Sequence, residues 1–229
     1  MRYAIYFAPQ PGTALHDLGS RWLGRDAVTG EALPQPAADG LFQLTAEARR
    51  YGFHATLKPP FALRDGLPPE TLMRAAAALA ADVSSFSVRL QLGVIDGFLA
   101  LVPEGPHPAL NRLAERCVCE LDGLRQPPGA DELARRRRAP LSGLQETYLL
   151  QWGYPCVLDE FRFHMTLSER LDLAEATRLG PLARQHFAPA LAQPVLTDGL
   201  TMFQEAGAGM PFLATRHFPF SQFSAEAAK

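Results

Sequence analysis

Residues 51–57 read YGFHATL, and residues 161–167, which lie 110 positions further along the chain, read FRFHMTL. In both segments a His and a Thr stand two positions apart between apolar residues. Side chains at positions i and i+2 of a β-strand project to the same face. The repeat therefore predicts two strands, one presenting His54 and Thr56 and the other His164 and Thr166, each with its apolar face turned to a core.

The pattern that follows each motif is repeated as well. Each motif is followed by a helical pattern and then by two strand patterns. The predicted elements are a helix over 69–82 and strands over 86–92 and 98–102 after His54, and a helix over 172–187 and strands over 195–204 and 211–217 after His164. We therefore expect an α+β fold of duplicated β-α-β-β units, with two antiparallel-type sheets facing a central cleft. A pseudo-twofold axis would then bring the two histidines together.

The rest of the chain is interpreted around this duplication as one bilobal domain over 1–229. The parts are a first lobe over about 1–125, a helical connection over about 126–155 and a second lobe over about 156–229. Arg2–Phe7 is predicted to be an opening strand, and 11–48 a flap or a loop with short helices. Residues 107–123 form one predicted helix. Residues 131–152 form two helices divided at Pro140, the second with a capping box of Ser142 and Gln145.

Composition limits the partners of this chain. A hydrophobic content of 47% over 229 residues is enough for a substantial core. The net charge of −2 gives no general attraction to nucleic acid or to an anionic membrane, so phosphate binding would need a local cluster of cations. No secretory signal or membrane helix is recognisable, and three cysteines argue against a disulfide framework. We expect a cytoplasmic protein without a membrane partner, and the sequence leaves its oligomeric state open.

Two H-x-T motifs on duplicated units resemble the 2H phosphoesterase superfamily. The longer phrases YGFHATLKPPF, WGYPCVLDEFRFHMTL and RYAIYFAP are similar to the branch associated with bacterial phosphonate-utilisation operons. The resemblance implies a metal-independent phosphodiesterase with His54 and His164 as its catalytic pair and with Thr56 and Thr166 hydrogen-bonded to the phosphate. For this branch it further implies a small, ribose-type cyclic phosphate as substrate and a role in phosphonate metabolism.

Histidine suits this chemistry because its ordinary pKa of about 6.5 lets one imidazole be neutral while the other is protonated. The neutral ring would take a proton from the attacking water, and the protonated ring would give one to the leaving ribose oxygen. The sequence does not decide which histidine is the base. Lys58 and Arg162 are predicted to share the faces of their histidines and to bind phosphate.

Three aromatic residues are candidates for the lining of the cleft, with core packing as the alternative for each. They are Tyr6, Tyr51 and Trp152.

Other classes of function remain possible at this point. A metal-dependent hydrolase would need a third ligand, and neither motif strand has a carboxylate on its histidine face, so we expect no metal and no other cofactor. Cleavage or ligation of 2′–5′ or 2′,3′-cyclic RNA ends is one alternative, and non-catalytic RNA binding on the same scaffold is another. The near-neutral charge disfavours an RNA partner. The run 135–138, four consecutive arginines, is interpreted as a solvated helix end.

Overall fold

The computed structural model describes residues 1–221 as a mixture of helices and mostly antiparallel strands. The strands are β1 (Arg2–Phe7), β2 (Ala55–Phe61), β3 (Phe86–Val88), β4 (Leu90–Ile95), β5 (Phe98–Pro103), β6 (Met165–Arg170), β7 (Val195–Thr197), β8 (Gly199–Glu205) and β9 (Phe212–Pro219). The helices are α1 (Ala14–Leu23), α2 (Leu41–Leu44), α3 (Ala46–Tyr51), α4 (Pro69–Ala81), α5 (Pro108–Glu120), α6 (Ala130–Arg136), α7 (Gly143–Trp152) and α8 (Leu173–Leu191).

The predicted α+β class and the duplication of the chain are both confirmed. The first unit runs β2-α4-β3-β4-β5 and the second runs β6-α8-β7-β8-β9. Each unit breaks its predicted middle strand at one residue, Arg89 in the first and Asp198 in the second. The pieces before the breaks, β3 and β7, pair with each other in a small two-stranded sheet.

The two units are related by an approximate twofold axis. Ala55 of β2 pairs antiparallel with Met165 of β6, and Ser87 of β3 pairs antiparallel with Leu196 of β7. Both pairs join equivalent positions of the repeat. Antiparallel pairing of equivalent positions places a local twofold axis between the two strands at each of these pairs.

The large sheet differs from the prediction in how its halves are joined. Seven strands form one sheet in the order β4-β5-β6-β2-β1-β8-β9, so the two expected sheets meet edge to edge through β6 and β2. The hairpin β4–β5 lies beside β6 of the other unit, and β1 lies between β2 and the hairpin β8–β9. Each half of the sheet therefore combines strands of both units.

Helices cover one face of the large sheet and leave the other for the site. The main core lies on the covered face and contains Ile5, Leu57, Leu101, Met165 and Met202, against α4, α5 and α8. The segment 11–48 is the predicted loop with short helices, which contains α1 and α2, and it packs against the core. Its Trp22 is fully buried against α8, and the indole Nε1 donates to the carbonyl oxygen of Leu167 at 2.8 Å.

The predicted helices around Pro140 are confirmed as α6 and α7. Ser142 and Gln145 form the predicted capping box at the start of α7. Within residues 1–221, no helix is both long and apolar enough to cross a membrane.

Candidate active site

The two motifs meet on the open face of the sheet. His54 and His164 are each the last residue before a strand, so the predicted strands begin one position later than the histidines. Because Ala55 pairs with Met165, His54 lies level with Thr166, and Thr56 lies level with His164. The histidines are thus diagonal neighbours, a relationship that separates residues by about 7–8 Å in an antiparallel pair. Two imidazoles and two hydroxyls form one four-residue group.

His54 is held by aromatic rings on several sides. Tyr6 stacks on it with ring centroids 3.7 Å apart, and Phe203 and Tyr51 lie at 6.0 and 6.3 Å. Its Nδ1 is 2.9 Å from the carbonyl oxygen of Gly52, and its Nε2 is 3.2 Å from the hydroxyl of Thr56. The pKa of His54 is lowered to about 4. Burial is the main cause, and the nearby charge of His164 adds to it, while the bond to Gly52 acts in the opposite direction. At neutral pH this ring is neutral.

The Gly52 carbonyl is available to His54 because of a local turn. Gly52 has φ +84°, a left-handed conformation that favours glycine, and a Cβ there would lie 2.4 Å from the Cβ of Ala27. The carbonyl accepts a hydrogen only from an Nδ1–H group, so this turn selects the tautomer whose Nε2 carries the lone pair. The Thr56 hydroxyl donates to that lone pair at 3.2 Å.

His164 occupies the equivalent position with a more open surrounding. Its Nδ1 is 2.7 Å from the carbonyl oxygen of Arg162, which leaves Nε2 for a substrate, and Phe98 packs 5.6 Å away. Burial lowers the pKa of His164, while the bond to Arg162 and the negative charge of Asp96 act in the opposite direction. His164 and Thr56 line the same cavity, whose volume is about 260 Å³.

Lys58 is the sequence-predicted phosphate ligand that the structure does not bring to this cavity. Thr56 pairs with Tyr6 but Lys58 pairs with Ile5, so a β-bulge between them turns the Lys58 side chain to the core face. Lys58 is fully buried, and its Nζ donates to the carbonyl oxygen of Val118 at 3.0 Å and to Asp122 at 3.3 Å. The prediction that Lys58 shares the face of His54 is wrong, because the alternation on which it rests is interrupted by the bulge.

The other predicted lining residues divide between the site and the core. Arg162 lies exposed on the rim of the cavity, with an Nη1 3.9 Å from Asp96. Tyr6 and Tyr51 contact the His54 ring as described above. Trp152 packs instead in a separate apolar cluster with Val118, Tyr148 and Val157.

Several residues of the cavity carry no recognisable sequence signal. Asp96, Phe98 and Tyr154 all line it. Asp96 and Phe98 reach the site because hairpin β4–β5 pairs with β6 of the other unit, an exchange that the repeat itself does not reveal. Tyr154 follows α7 in a segment without a strand or helix pattern.

No metal centre is evident among the described residues, and two further histidines line a separate cavity. Among residues 1–221, no three His, Cys, Asp or Glu side chains are grouped so that they could hold a metal ion. A second cavity of about 200 Å³ lies beyond Phe203 and is lined by His16 and His217. The His217 ring contacts Gln10 and Thr201 there, at 2.7 and 3.3 Å.

Three solved structures illustrate a weak similarity to this chain. They are a phosphoesterase (12% identity, TM-score 0.42, covering 96% of this chain and 99% of the other), E. coli LigT complexed with NADP+ (12%, 0.43, 96% and 98%) and Kluyveromyces marxianus Usb1 (14%, 0.39, 93% and 98%).

Curated relatives are much closer in sequence. The chain is 41% identical over 230 residues to a protein of Janthinobacterium sp. (strain Marseille) named ribose 1,5-bisphosphate phosphokinase PhnN, covering 96% of the chain and 51% of that protein. A protein of the same name from Laribacter hongkongensis (strain HLHK9) is 36% identical over 220 residues, with 94% and 51% covered. The chain thus spans about half the length of these relatives. The family model described as "Protein of unknown function (DUF1045)" matches residues 56–213, more than half of the chain, which therefore belongs to the DUF1045 family.

Proposed function

We propose that this chain is a metal-independent phosphodiesterase that hydrolyses a small, ribose-type cyclic phosphate by paired-histidine catalysis. The observation that carries the proposal is the Ala55–Met165 pair. It makes His54 and His164 diagonal neighbours on one face of the sheet. In each ring Nδ1 lies against a backbone carbonyl, so Nε2 is the nitrogen left for proton transfer. A phosphate between the rings would have one nitrogen on the side of the attacking water and the other on the side of the leaving oxygen.

In this proposal His54 is the general base. Its enclosure by Tyr6, Tyr51 and Phe203 keeps the ring neutral, and its Nε2 lone pair can take a proton from water as the water oxygen attacks phosphorus. The bond from phosphorus to one ribose oxygen then breaks. His164 gives its Nε2 proton to that oxygen, and the nearby carboxylate of Asp96 favours the protonated form that this step needs.

The two threonines support the same reaction. Thr56 and Thr166 are half-buried beside the histidines. When substrate binds, the Thr56 hydroxyl would turn from His54 Nε2 to a non-bridging phosphate oxygen, and the Thr166 hydroxyl would donate to another. Donors that are already in place when negative charge builds up stabilise the transition state more than they stabilise the substrate. Arg162, on the rim, would balance phosphate charge from a more exposed position.

A ribose phosphate is the substrate class that the surroundings favour. The cavity of about 260 Å³ is close to the lower limit for small-molecule sites. Hydrolysis of a ribose 1,2-cyclic phosphate gives a ribose phosphate monoester. Opening the ring at the 2-oxygen leaves the phosphate on carbon 1. The relatives bear the name of a kinase for ribose 1,5-bisphosphate, a compound that also carries a phosphate on carbon 1. This link, together with the branch resemblance, supports a place in phosphonate metabolism.

The proposal is tested with a panel of ribose 1,2-cyclic phosphate, 2′,3′-cyclic nucleotides and a 2′–5′ dinucleotide, all assayed with EDTA present. We expect hydrolysis of the ribose compound by the wild type and a large loss in His54→Ala and His164→Ala. Preference for the dinucleotide would favour an RNA-end enzyme instead. Activity that EDTA abolishes would refute the metal-independent mechanism. RNA binding that survives in both variants, without turnover of any compound, would favour a binding protein.

A further inference from the structure

Three arginines and two tyrosines lie around Tyr6, the residue that stacks on His54. We call Arg2, Arg50, Arg136, Tyr51 and Tyr154 the arginine cluster. Arg2 opens β1 and lies on the same face as Tyr6, four positions further along that strand. Its Nε donates to Glu205 at 2.6 Å, and its Cζ lies 5.7 Å from the ring of Phe212.

Arg50 connects this cluster to the catalytic face. Its Nη2 donates to the hydroxyl of Tyr51 at 2.7 Å, and its Nη1 lies 3.5 Å from Glu205. The Tyr51 ring is 6.3 Å from His54. Within the described part of the chain, the buried Arg50 Nε has no hydrogen-bond partner. Tyr51 thus lies between His54, which its ring faces, and Arg50, which donates to its hydroxyl.

Arg136 approaches from the other wall of the cleft. Its guanidinium lies 4.5 Å from the centre of the Tyr154 ring, and Tyr154 lines the cavity that contains Thr56 and His164. The Arg136 Nε is also buried with no partner among residues 1–221. The neighbouring Arg135 and Arg137 are exposed and pair with Glu132 and Glu146. Arg136 is therefore the member of the arginine run that turns towards the cleft.

Glu132 lies close to both Arg2 and Arg136. Arg2 and Glu132 line one cavity of about 300 Å³, and Arg136 lies 3.5 Å from the same Glu132. Burial raises the pKa of Tyr6, and the charges of Arg2 and Arg136 both act against that rise, as expected for cations near its ring. The ion-pair partners of the three arginines are Glu205 and Glu132. Among residues 1–221, the three guanidinium groups thus share two carboxylates as ion-pair partners.

We propose that the arginine cluster binds a second phosphate of the substrate, a phosphomonoester, while the cyclic phosphodiester lies between His54 and His164. This inference rests on the proposed function and narrows it to a ribose cyclic phosphate that carries a phosphate on its 5-position. Guanidinium groups match phosphate oxygens with paired donors, and a tyrosine hydroxyl adds a further one. A dianionic group beside these three guanidinium groups would add its negative charge to the two carboxylates that they share.

The test compares kcat/KM for ribose 1,2-cyclic phosphate and for its 5-phosphorylated form. We expect the wild type to prefer the phosphorylated substrate and Arg136→Gln to reduce that preference about 10- to 100-fold, the range for one charge-assisted hydrogen bond. Arg136→Lys, which keeps the charge but not the paired donors, should fall between them. Arg135→Gln is the matched control and should keep the full preference. An unchanged preference in Arg136→Gln would overturn the proposal.

A binding measurement separates failure of the subsite from failure of the proposed hydrolase. Calorimetric titration with ribose 5-phosphate, and with ribose as the uncharged comparison, needs no turnover. Binding of ribose 5-phosphate alone, weakened in Arg136→Gln, supports the subsite even if neither cyclic phosphate is hydrolysed, in which case only the hydrolase is refuted. Hydrolysis of both cyclic phosphates at equal rates, without binding of ribose 5-phosphate, refutes the subsite and leaves the hydrolase standing.

Discussion

Ala55 pairs with Met165 at the one point where the two halves of the large sheet meet. Each is the middle residue of an H-x-T motif, so the approximate twofold axis passes through the site itself. His54 and His164 therefore owe their proximity to backbone pairing and not to long side chains that reach across a cleft. Each histidine directly precedes its strand, so the Ala55–Met165 pair anchors the backbone next to both rings.

Loss of either histidine should remove most of the activity. We expect His54→Ala and His164→Ala each to lower kcat on ribose 1,2-cyclic phosphate by about 10²–10⁴-fold, the usual worth of one positioned acid or base. The double variant should be far less impaired than the product of the two losses, because both residues act in the same step. His217→Gln, in the separate cavity, is the control. An equal loss in that control would contradict the assignment.

The acid–base assignment predicts an optimum below neutral pH. The reaction needs neutral His54, so kcat/KM should rise with pH through about 4, the pKa to which burial lowers that ring. It also needs protonated His164, whose pKa is lowered from 6.5, so kcat/KM should fall as pH rises towards that value. A pH profile of kcat/KM measures both limbs. A profile that keeps its acidic limb in His54→Gln would refute His54 as the base.

The Tyr6 ring should position His54 through its stacking. Tyr6→Phe keeps the ring that lies 3.7 Å from the imidazole, whereas Tyr6→Leu removes it. We expect Tyr6→Phe to retain near wild-type kcat on ribose 1,2-cyclic phosphate and Tyr6→Leu to lose about 10-fold or more, since small misplacements of a catalytic group are costly. In Tyr6→Leu the His54 ring should be more exposed to solvent, so its pKa should rise and the acidic limb of the pH profile should move to higher pH. Equal kcat in the two variants would exclude a positioning role.

Substitution of Lys58 should affect stability, and substitution of Arg162 should affect substrate binding. Lys58→Met leaves the Val118 carbonyl without its donor, so we expect a loss of about 1–3 kcal/mol in the free energy of unfolding and an unchanged KM. Arg162→Met should have the reverse effect, a higher KM at unchanged stability, because that side chain is exposed on the cavity rim. Denaturant unfolding and steady-state kinetics measure the two quantities. A raised KM in Lys58→Met would restore Lys58 as a phosphate ligand.

The sequence predicted the site better than it predicted the path of the chain around it. His54 and His164, each with its threonine, could be found because the repeat marks them twice and because strand alternation is local. The sequence did not show that hairpin β4–β5 lies beside β6 of the second unit. The two units have the same strand pattern, so the pattern does not tell which motif strand the hairpin joins. The bulge that turns Lys58 inwards was also missed, because it depends on the register against β1. Tyr154 and Arg136 approach through tertiary packing alone.

The buried His54 ring should also make the stability of the protein depend on pH. Its pKa is about 4 in the folded protein and about 6.5 in an unfolded chain, so folding favours the neutral form. That contribution is fully present above pH 6.5 and is lost as pH falls through about 4. A difference of this size corresponds to about 3 kcal/mol. Urea unfolding of the wild type and of His54→Gln at pH 7.5 and pH 4 measures it. The stability lost on acidification should be about 3 kcal/mol smaller in the variant. An equal loss in both proteins would mean that solvent reaches the ring far more freely than its stacking on Tyr6 implies.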